Sequence, residues 1–385
     1  MKSKIFCSFI VLSAFCEYIC ANDDVNKADV QQELAVAEEE DIVPATGDVV
    51  VNEVSSKTQL EQHDGAAEIK NIDVGPQIKE ILPIANWNRC MADTASSITE
   101  WKRWWTYLKM KDPVVMNWID GLKLKIYPKN EIFRSIYVNG KYDPNMIVVL
   151  KSFLKSGDTL IDVGANCGYI SLPLTKTIGS TGRIVAIEPS TRDYKRLTEN
   201  IALNKLSEVV KPVKLAMGDR IGHKTMLIAS EERSGSNTLG MKFAFQGIEK
   251  ETTEDVNVST IDNVVNMENI TQVNVIKLDV EGSEVRCLEG AKDTIAKFKP
   301  TIVISVNGDA LAHSKRSIEQ LEKILKDYNY EVFGLEKNKF ALQTVNGLQK
   351  LYSPIIVCLP AGTKPVALPA AENMGVVDKV KRFFK

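Results

Sequence analysis

From about residue 156 the chain alternates between short apolar runs and longer segments whose apolar positions recur at helical spacing. Residues 159–163, 183–187, 209–215, 275–278 and 301–306 are rich in β-branched side chains and apolar enough for strands buried on both faces. Residues 170–177, 191–203, 283–298 and 314–328 read as helices between and after them. This alternation predicts an α/β fold with a doubly wound, mostly parallel sheet. Ligands of such sheets sit at the carboxyl ends of the strands, which is where Asp162, Glu188 and Asp279 fall. Upstream, the string DGLKLKIYP over 120–128 alternates like a short strand, and 145–155 has helical spacing.

The pattern changes outside this region. Lys2 and Lys4, an apolar stretch over 5–15 and Ala21 before a polar segment have the layout of a secretory signal peptide over 1–21, so we expect a secreted or exported protein. The apolar run is shorter than the roughly 20 residues that span a bilayer. Residues 22–85 hold 15 Asp or Glu against 4 Lys, with little apolar surface to offset the entropy of ordering, and read as a disordered acidic linker. The overall net charge of -2 therefore conceals a mildly basic body. All five tryptophans lie between Trp87 and Trp118, and Trp101, Trp104 and Trp105 share one helical face, which suits packing in a helical lead-in over 86–119. The tail 361–385 ends in Lys379, Lys381, Arg382 and Lys385 around Phe383 and Phe384, a pattern that suits weak contact with an anionic membrane or a solvated helix end. Behind the leader, Cys90, Cys167, Cys287 and Cys358 are widely spaced without a CxxC pair, so they read as buried side chains and not as a metal or disulfide framework.

Four strings carry the chemistry. DVGANCG, 162–168, follows the first apolar run, and IVAIEP, 184–189, follows at the spacing of one βαβ unit. Small residues at a strand end let a ligand approach the backbone, and an acid at the tip of the next strand suits ribose hydroxyls, a role that falls to Glu188. The glycine spacing differs from GxGxxG and offers no pyrophosphate cradle; Asp162 suits a ligand bearing an ammonium group, as S-adenosylmethionine does. AMGD, 216–219, reads as an adenine contact or as a simple turn. KLDVEGSE, 277–284, gathers Lys277, Asp279, Glu281 and Glu284 around one strand end, where buried charges are costly unless they bind a ligand or each other.

With FRSIYVNGKYDP, ERSGSNTL and STIDNV in the same order along 120–359, these strings resemble the FkbM-type methyltransferase family. The resemblance implies a class I S-adenosylmethionine-dependent fold over 120–360, Rossmann-like, with a seven-stranded sheet whose last strand is antiparallel. It implies methyl transfer to a sugar, polyketide or other small-molecule hydroxyl. Asp162, Gly164, Asn166 and Gly168 would line the methionine end of the cofactor, Glu188 the ribose and Asp219 the adenine. The family commonly has a Glu at the end of the strand after KLDVEGSE, where this chain has Ser305 and Asn307.

In methyl transfer to oxygen the protein must align the acceptor and take its proton. Asp279 and Glu281 are the candidate bases, with Lys277 as charge partner and His313 as a weaker alternative; the carboxylates would also suit Mg²⁺. No metal ligand set is expected. Two competing readings are a binding protein that keeps the cofactor fold without catalysis, motivated by Ser305 and Asn307, and a nucleic-acid methyltransferase, motivated by the basic body. Against the second, the chain has no clustered basic stripe with interleaved aromatics.

Overall fold

The computed structural model describes residues 103–104, 106–239, 252–335, 341–345, 347–351 and 353–369. All lie in one unit spanning 71–385. The signal peptide, the acidic linker, Cys90, Trp87, Trp101, Trp105 and the basic tail end lie outside the described residues.

The expected strands form where the β-branched runs stand. Strands β3 (Thr159–Val163), β4 (Arg183–Ile187), β9 (Val275–Leu278) and β10 (Thr301–Ser305) are parallel. They belong to an eight-stranded sheet with β5 (Val210–Val213), β11 (Tyr330–Leu335), β12 (Leu342–Thr344) and β13 (Ile355–Pro360), in the order β12-β11-β13-β10-β9-β3-β4-β5. β13 runs antiparallel to both β10 and β11. Seven of these strands have the class I methyltransferase arrangement, with the last strand inserted antiparallel. The eighth, β12, is a short hairpin partner of β11 at the sheet edge.

The period of two along each strand divides the core. Leu160, Ile184, Ala186, Val303 and Val357 face one layer of helices, and Ile161, Val185, Ile276, Ile302 and Ile356 face the other. The first layer includes α1 (Glu131–Asn139), α2 (Pro144–Phe153), α3 (Ser171–Ile178) and α4 (Thr191–Leu203); the second includes α5 (Ile261–Met267), α6 (Glu284–Glu289), α7 (Lys292–Phe298), α8 (Gly308–His313) and α9 (Ile318–Asp327). Where a single helix is expected over 283–298, the chain breaks into α6 and α7. At Gly290, between them, an added Cβ would lie 2.0 Å from the Gly218 carbonyl oxygen, so the close approach of the AMGD turn interrupts the helix. A helix expected to begin at 314 begins instead at Ile318, after a capping box on Ser317 and Gln320, and α8 precedes it.

Two smaller sheets flank the main one. β1 (Val114–Asn117) and β2 (Lys123–Ile126) form a hairpin fastened to α4, with Lys125 N–H donating to Asn200 Oδ1 at 2.8 Å. β6 (Ala216–Met217), β7 (Gly222–Ile228) and β8 (Thr252–Ser259) form the other. Alternation alone did not reveal the second sheet, because few β7 and β8 side chains are buried and their polar character hides the strand pattern. Of the described tryptophans, Trp118 is buried and donates its indole N–H to the Gly140 carbonyl at 3.0 Å, while Trp104 is exposed. Cys167, Cys287 and Cys358 are buried free thiols. Among the described residues no helix is long and apolar enough to cross a membrane.

Candidate active site

After β3, β4 and β5 the chain returns to lay β9 on the other side of β3, so the strand order reverses between β3 and β9. A cleft of about 280 Å³ opens at that reversal, at the carboxyl ends of the strands, the place where open α/β sheets hold their ligands. Gly164, Asn166, Glu188, Asp279 and Glu281 line it.

Asp162 and Lys277 do not. They are register partners on β3 and β9, one residue short of the strand ends, and both are fully buried behind the cleft. Lys277 Nζ lies 3.0 Å from Asp162 Oδ1 and donates to the Gly164 carbonyl at 2.8 Å, and Ser171 Oγ donates to Asp162 Oδ2 at 2.5 Å. Burial alone would depress the ammonium of Lys277, but the Asp162, Asp279 and Glu188 carboxylates reverse this and hold it above its ordinary value. The Asp162 carboxylate, expected to meet a ligand's ammonium, is thus already engaged by a protein ammonium.

Gly164 has φ +79, and an added Cβ would lie 2.0 Å from the Asp279 carbonyl oxygen. The residue is small because the β3 and β9 loops pass in contact, and that contact keeps the two strand ends at one site. Gly168 backs onto Leu197 of α4 and does not line the cleft. Asp219 also stands outside the lining, its carboxylate 3.2 Å from the Arg220 guanidinium; Leu215, Ala216 and Met217 line the cleft in its place. His313 is half-buried at the end of α8, with Nδ1 2.7 Å from the Asp309 carbonyl oxygen, and is not among the cleft residues.

Glu188 is fixed by two backbone amides. Asn166 N–H donates to Oε2 at 2.9 Å and Ser190 N–H to Oε1 at 3.0 Å, leaving further acceptor capacity on each oxygen toward the cleft. Burial, reinforced by the Asp193 charge, pushes its carboxyl up to about 8. Across the cleft Glu281 sits in the left-handed region at φ 45, and Asn307 Nδ2 donates to its Oε2 at 3.0 Å. Burial, then the Asp279 charge, raises Glu281 to about 7. Asp279 Oδ2 is 3.8 Å from Lys277 Nζ. The departures from the family pattern fall here: Ser305 lines the cleft, while Asn307 caps α8 and holds Glu281.

Several cleft residues escaped notice in the sequence. Tyr142 and Asp143 arrive from the start of α2 and Tyr169 from the glycine loop; Ser234, Gly235 and Asn237 come from a 3-10 segment, Glu231–Ser236, and its continuation. That segment is strapped down from three sides. Arg196 of α4 donates to both oxygens of Glu231, Asn237 Nδ2 donates to Asp193 at 2.8 Å, and Thr238 Oγ1 donates to the Glu281 carbonyl at 2.7 Å. Arg196 also lies over the Tyr127 ring at 4.3 Å. The strings YDP and ERSGSNTL carried the family resemblance, yet neither has a spacing that announces a role. Finally, Ser283 lines the cleft, is 2% exposed, and its hydroxyl has no partner.

Residues 162–332 match the family described as the methyltransferase FkbM domain. The hexuronic acid methyltransferase AglP of Haloferax volcanii is 29% identical over 177 residues, covering 45% of this chain and 65% of its own length. The 23S rRNA (uracil(1939)-C(5))-methyltransferase RlmD of Acinetobacter baylyi is 28% identical over 121 residues, 28% of this chain and 26% of its own. The chain thus spans less than two thirds of either relative. A solved FkbM methyltransferase from Methylobacillus flagellatus KT is 15% identical, with 69% of this chain and 60% of that one covered and a TM-score of 0.36.

Proposed function

We propose that this chain, whose residues 162–332 match the methyltransferase FkbM domain, is an S-adenosylmethionine-dependent methyltransferase that acts on a hydroxyl oxygen of a sugar or similar small polyhydroxylated acceptor. The observation that carries the reading is the placement of Glu188 and Glu281 in one cleft. One carboxylate is braced by backbone amides for hydroxyl recognition, and the other is held at a pKa of about 7, near the working range of a general base.

The donor set fits the cofactor. Glu188 would accept from the ribose hydroxyls, Gly164 and Asn166 would form the floor under the methionine arm, and Leu215, Ala216 and Met217 would border the adenine. When bound, the cofactor supplies a methyl group already activated by its positive sulfur. The chain must then hold the acceptor oxygen in line with that methyl and take its proton. Positioning of this kind lowers a barrier by about 7 to 11 kcal/mol, whereas a base contributes a factor of about 100 to 10,000, so alignment dominates. We assign the proton to Glu281, whose free oxygen faces the cleft while Asn307 holds the other. Lys277 acts from behind, fixing the β3 and β9 ends, with its ammonium 3.8 Å from the Asp279 carboxylate.

The full-length protein, given methyl-labelled S-adenosylmethionine and a panel of neutral and acidic saccharides, is expected to yield an alkali-stable methyl ether. An alkali-labile methyl ester, or label delivered to RNA and to no saccharide, would overturn the assignment to a hydroxyl.

A further inference from the structure

One end of the cleft has an unusual lining. Asp143, Asp279 and Glu281 converge there, and none of the described residues that line the cleft is Lys, Arg or His. Lys277 is close to Asp279, but its charge is shared with Asp162 and it is fully buried. Burial and the Asp279 charge push Asp143 up to about 6, and the same two causes raise Glu281, so these carboxylates repel one another in a poorly solvated space. A cation placed among them relieves that repulsion.

The kind of cation follows from what surrounds them. Among the described residues no three acidic, His or Cys side chains stand close enough to hold a metal ion. Instead, the rings of Tyr142 and Tyr169 pack edge to face, with centroids 5.2 Å apart, and both residues line the same cleft. Carboxylates combined with aromatic rings suit a bulky, weakly hydrated organic cation. The buried Ser283 hydroxyl, without a partner in the same cleft, is an independent sign that a ligand completes the site.

We propose that Asp143, Asp279 and Glu281, with Tyr142 and Tyr169, form a subsite for the positive charge on the methionine arm of the cofactor, and that Asp143 determines its strength. Asp143 lies before the matched segment 162–332, in the string FRSIYVNGKYDP, so the element that precedes β3 supplies part of cofactor recognition. The inference rests on the cofactor reading above.

Asp143→Asn isolates the charge. Asp143 has φ 42 and caps α2 by accepting from Met146 N–H at 3.3 Å; asparagine tolerates that conformation and caps equally well. Calorimetric titration of the full chain with three probes reads the result. S-adenosylmethionine carries a sulfonium and an ammonium, S-adenosylhomocysteine only the ammonium, and 5′-methylthioadenosine neither. The substitution is expected to weaken S-adenosylmethionine about tenfold, equivalent to about 1.4 kcal/mol, and to leave methylthioadenosine unchanged, with Asp143→Glu restoring most of the loss. A matching loss for S-adenosylhomocysteine identifies the ammonium as the recognised charge, and no loss identifies the sulfonium. Unchanged S-adenosylmethionine binding, or equal weakening of all three probes, overturns the subsite. Failure of folded wild-type protein to bind any probe overturns the cofactor reading instead.

Discussion

Lys277 Nζ and Asp162 Oδ1 stand 3.0 Å apart as register partners on adjacent parallel strands, and both side chains are fully buried. The pair lies directly behind the cleft, and the same ammonium donates to the Gly164 carbonyl. It joins β3 to β9 where the strand order reverses, so the geometry of the cleft floor depends on it.

Removing one member of a buried pair leaves the other uncompensated, at a cost of about 3 to 5 kcal/mol. Lys277→Met is therefore expected to lower stability by that amount in urea unfolding, and Lys277→Met combined with Asp162→Leu to recover part of it. A single variant as stable as wild type would show that the pair does not hold the strands together.

Gly164→Ala is expected to cost both stability and cofactor affinity, because the new Cβ would fall 2.0 Å from the Asp279 carbonyl at a φ of +79. A left-handed non-glycine residue alone costs about 1 to 3 kcal/mol. Unfolding measurements together with calorimetry read the two effects. A variant that keeps its stability and binds the cofactor normally would mean the loops part without consequence.

kcat/KM is expected to rise with pH through about 7, because it reports the free enzyme, in which Glu281 accepts a proton only when ionised and its carboxyl is held near that value. Glu281→Gln should lower the rate about 100- to 10,000-fold, the usual contribution of a base, and flatten the profile. If the variant keeps the wild-type profile, the proton goes elsewhere, with Asp279 the next group to replace.

Stability should move the opposite way. Glu188, Glu281 and Glu284 all have folded values raised above their ordinary range of about 4.5, chiefly by burial. The folded state therefore holds protons that the unfolded chain has released, and unfolding free energy falls as pH rises from about 4.5 through 7 to 8. Urea unfolding at pH 5, 6, 7 and 8 in the absence of cofactor checks this. Glu284, fully buried with one oxygen on Gly282 N–H and the other unpartnered, is the position where Gln should remove part of the slope. A stability that increases over this range would contradict it.

We also propose export through residues 1–21. A reporter fused after Asn22 is expected to leave the cytosol with the leader removed, and an uncut cytosolic fusion would refute it.

The sequence by itself determined the strands that frame the cleft. β3, β4 and β9 stand where the sequence is densest in apolar, β-branched side chains, because a strand covered on both faces needs mostly apolar side chains; the charged exceptions, Asp162 and Lys277, pair with each other. The strand-end rule placed Glu188 and Asp279 at the cleft but also Asp162, which is not there; KLDVEGSE added Glu281, and the family resemblance added Gly164 and Asn166. Side-chain direction was decided only by the tertiary structure. Asp162 and Lys277 turn away from the cleft because they face each other across two strands joined by register. Asp219 turns to its neighbour Arg220, and Gly164 serves a contact between loops as much as any ligand. Tyr142, Asp143 and the 3-10 segment reach the cleft through the packing of distant elements: Tyr142 packs edge to face with Tyr169, and Arg196 holds Glu231. Periodicity records which residues are buried, since burial acts on each position through its own solvation. It does not record which distant residues meet, because that depends on how whole elements pack.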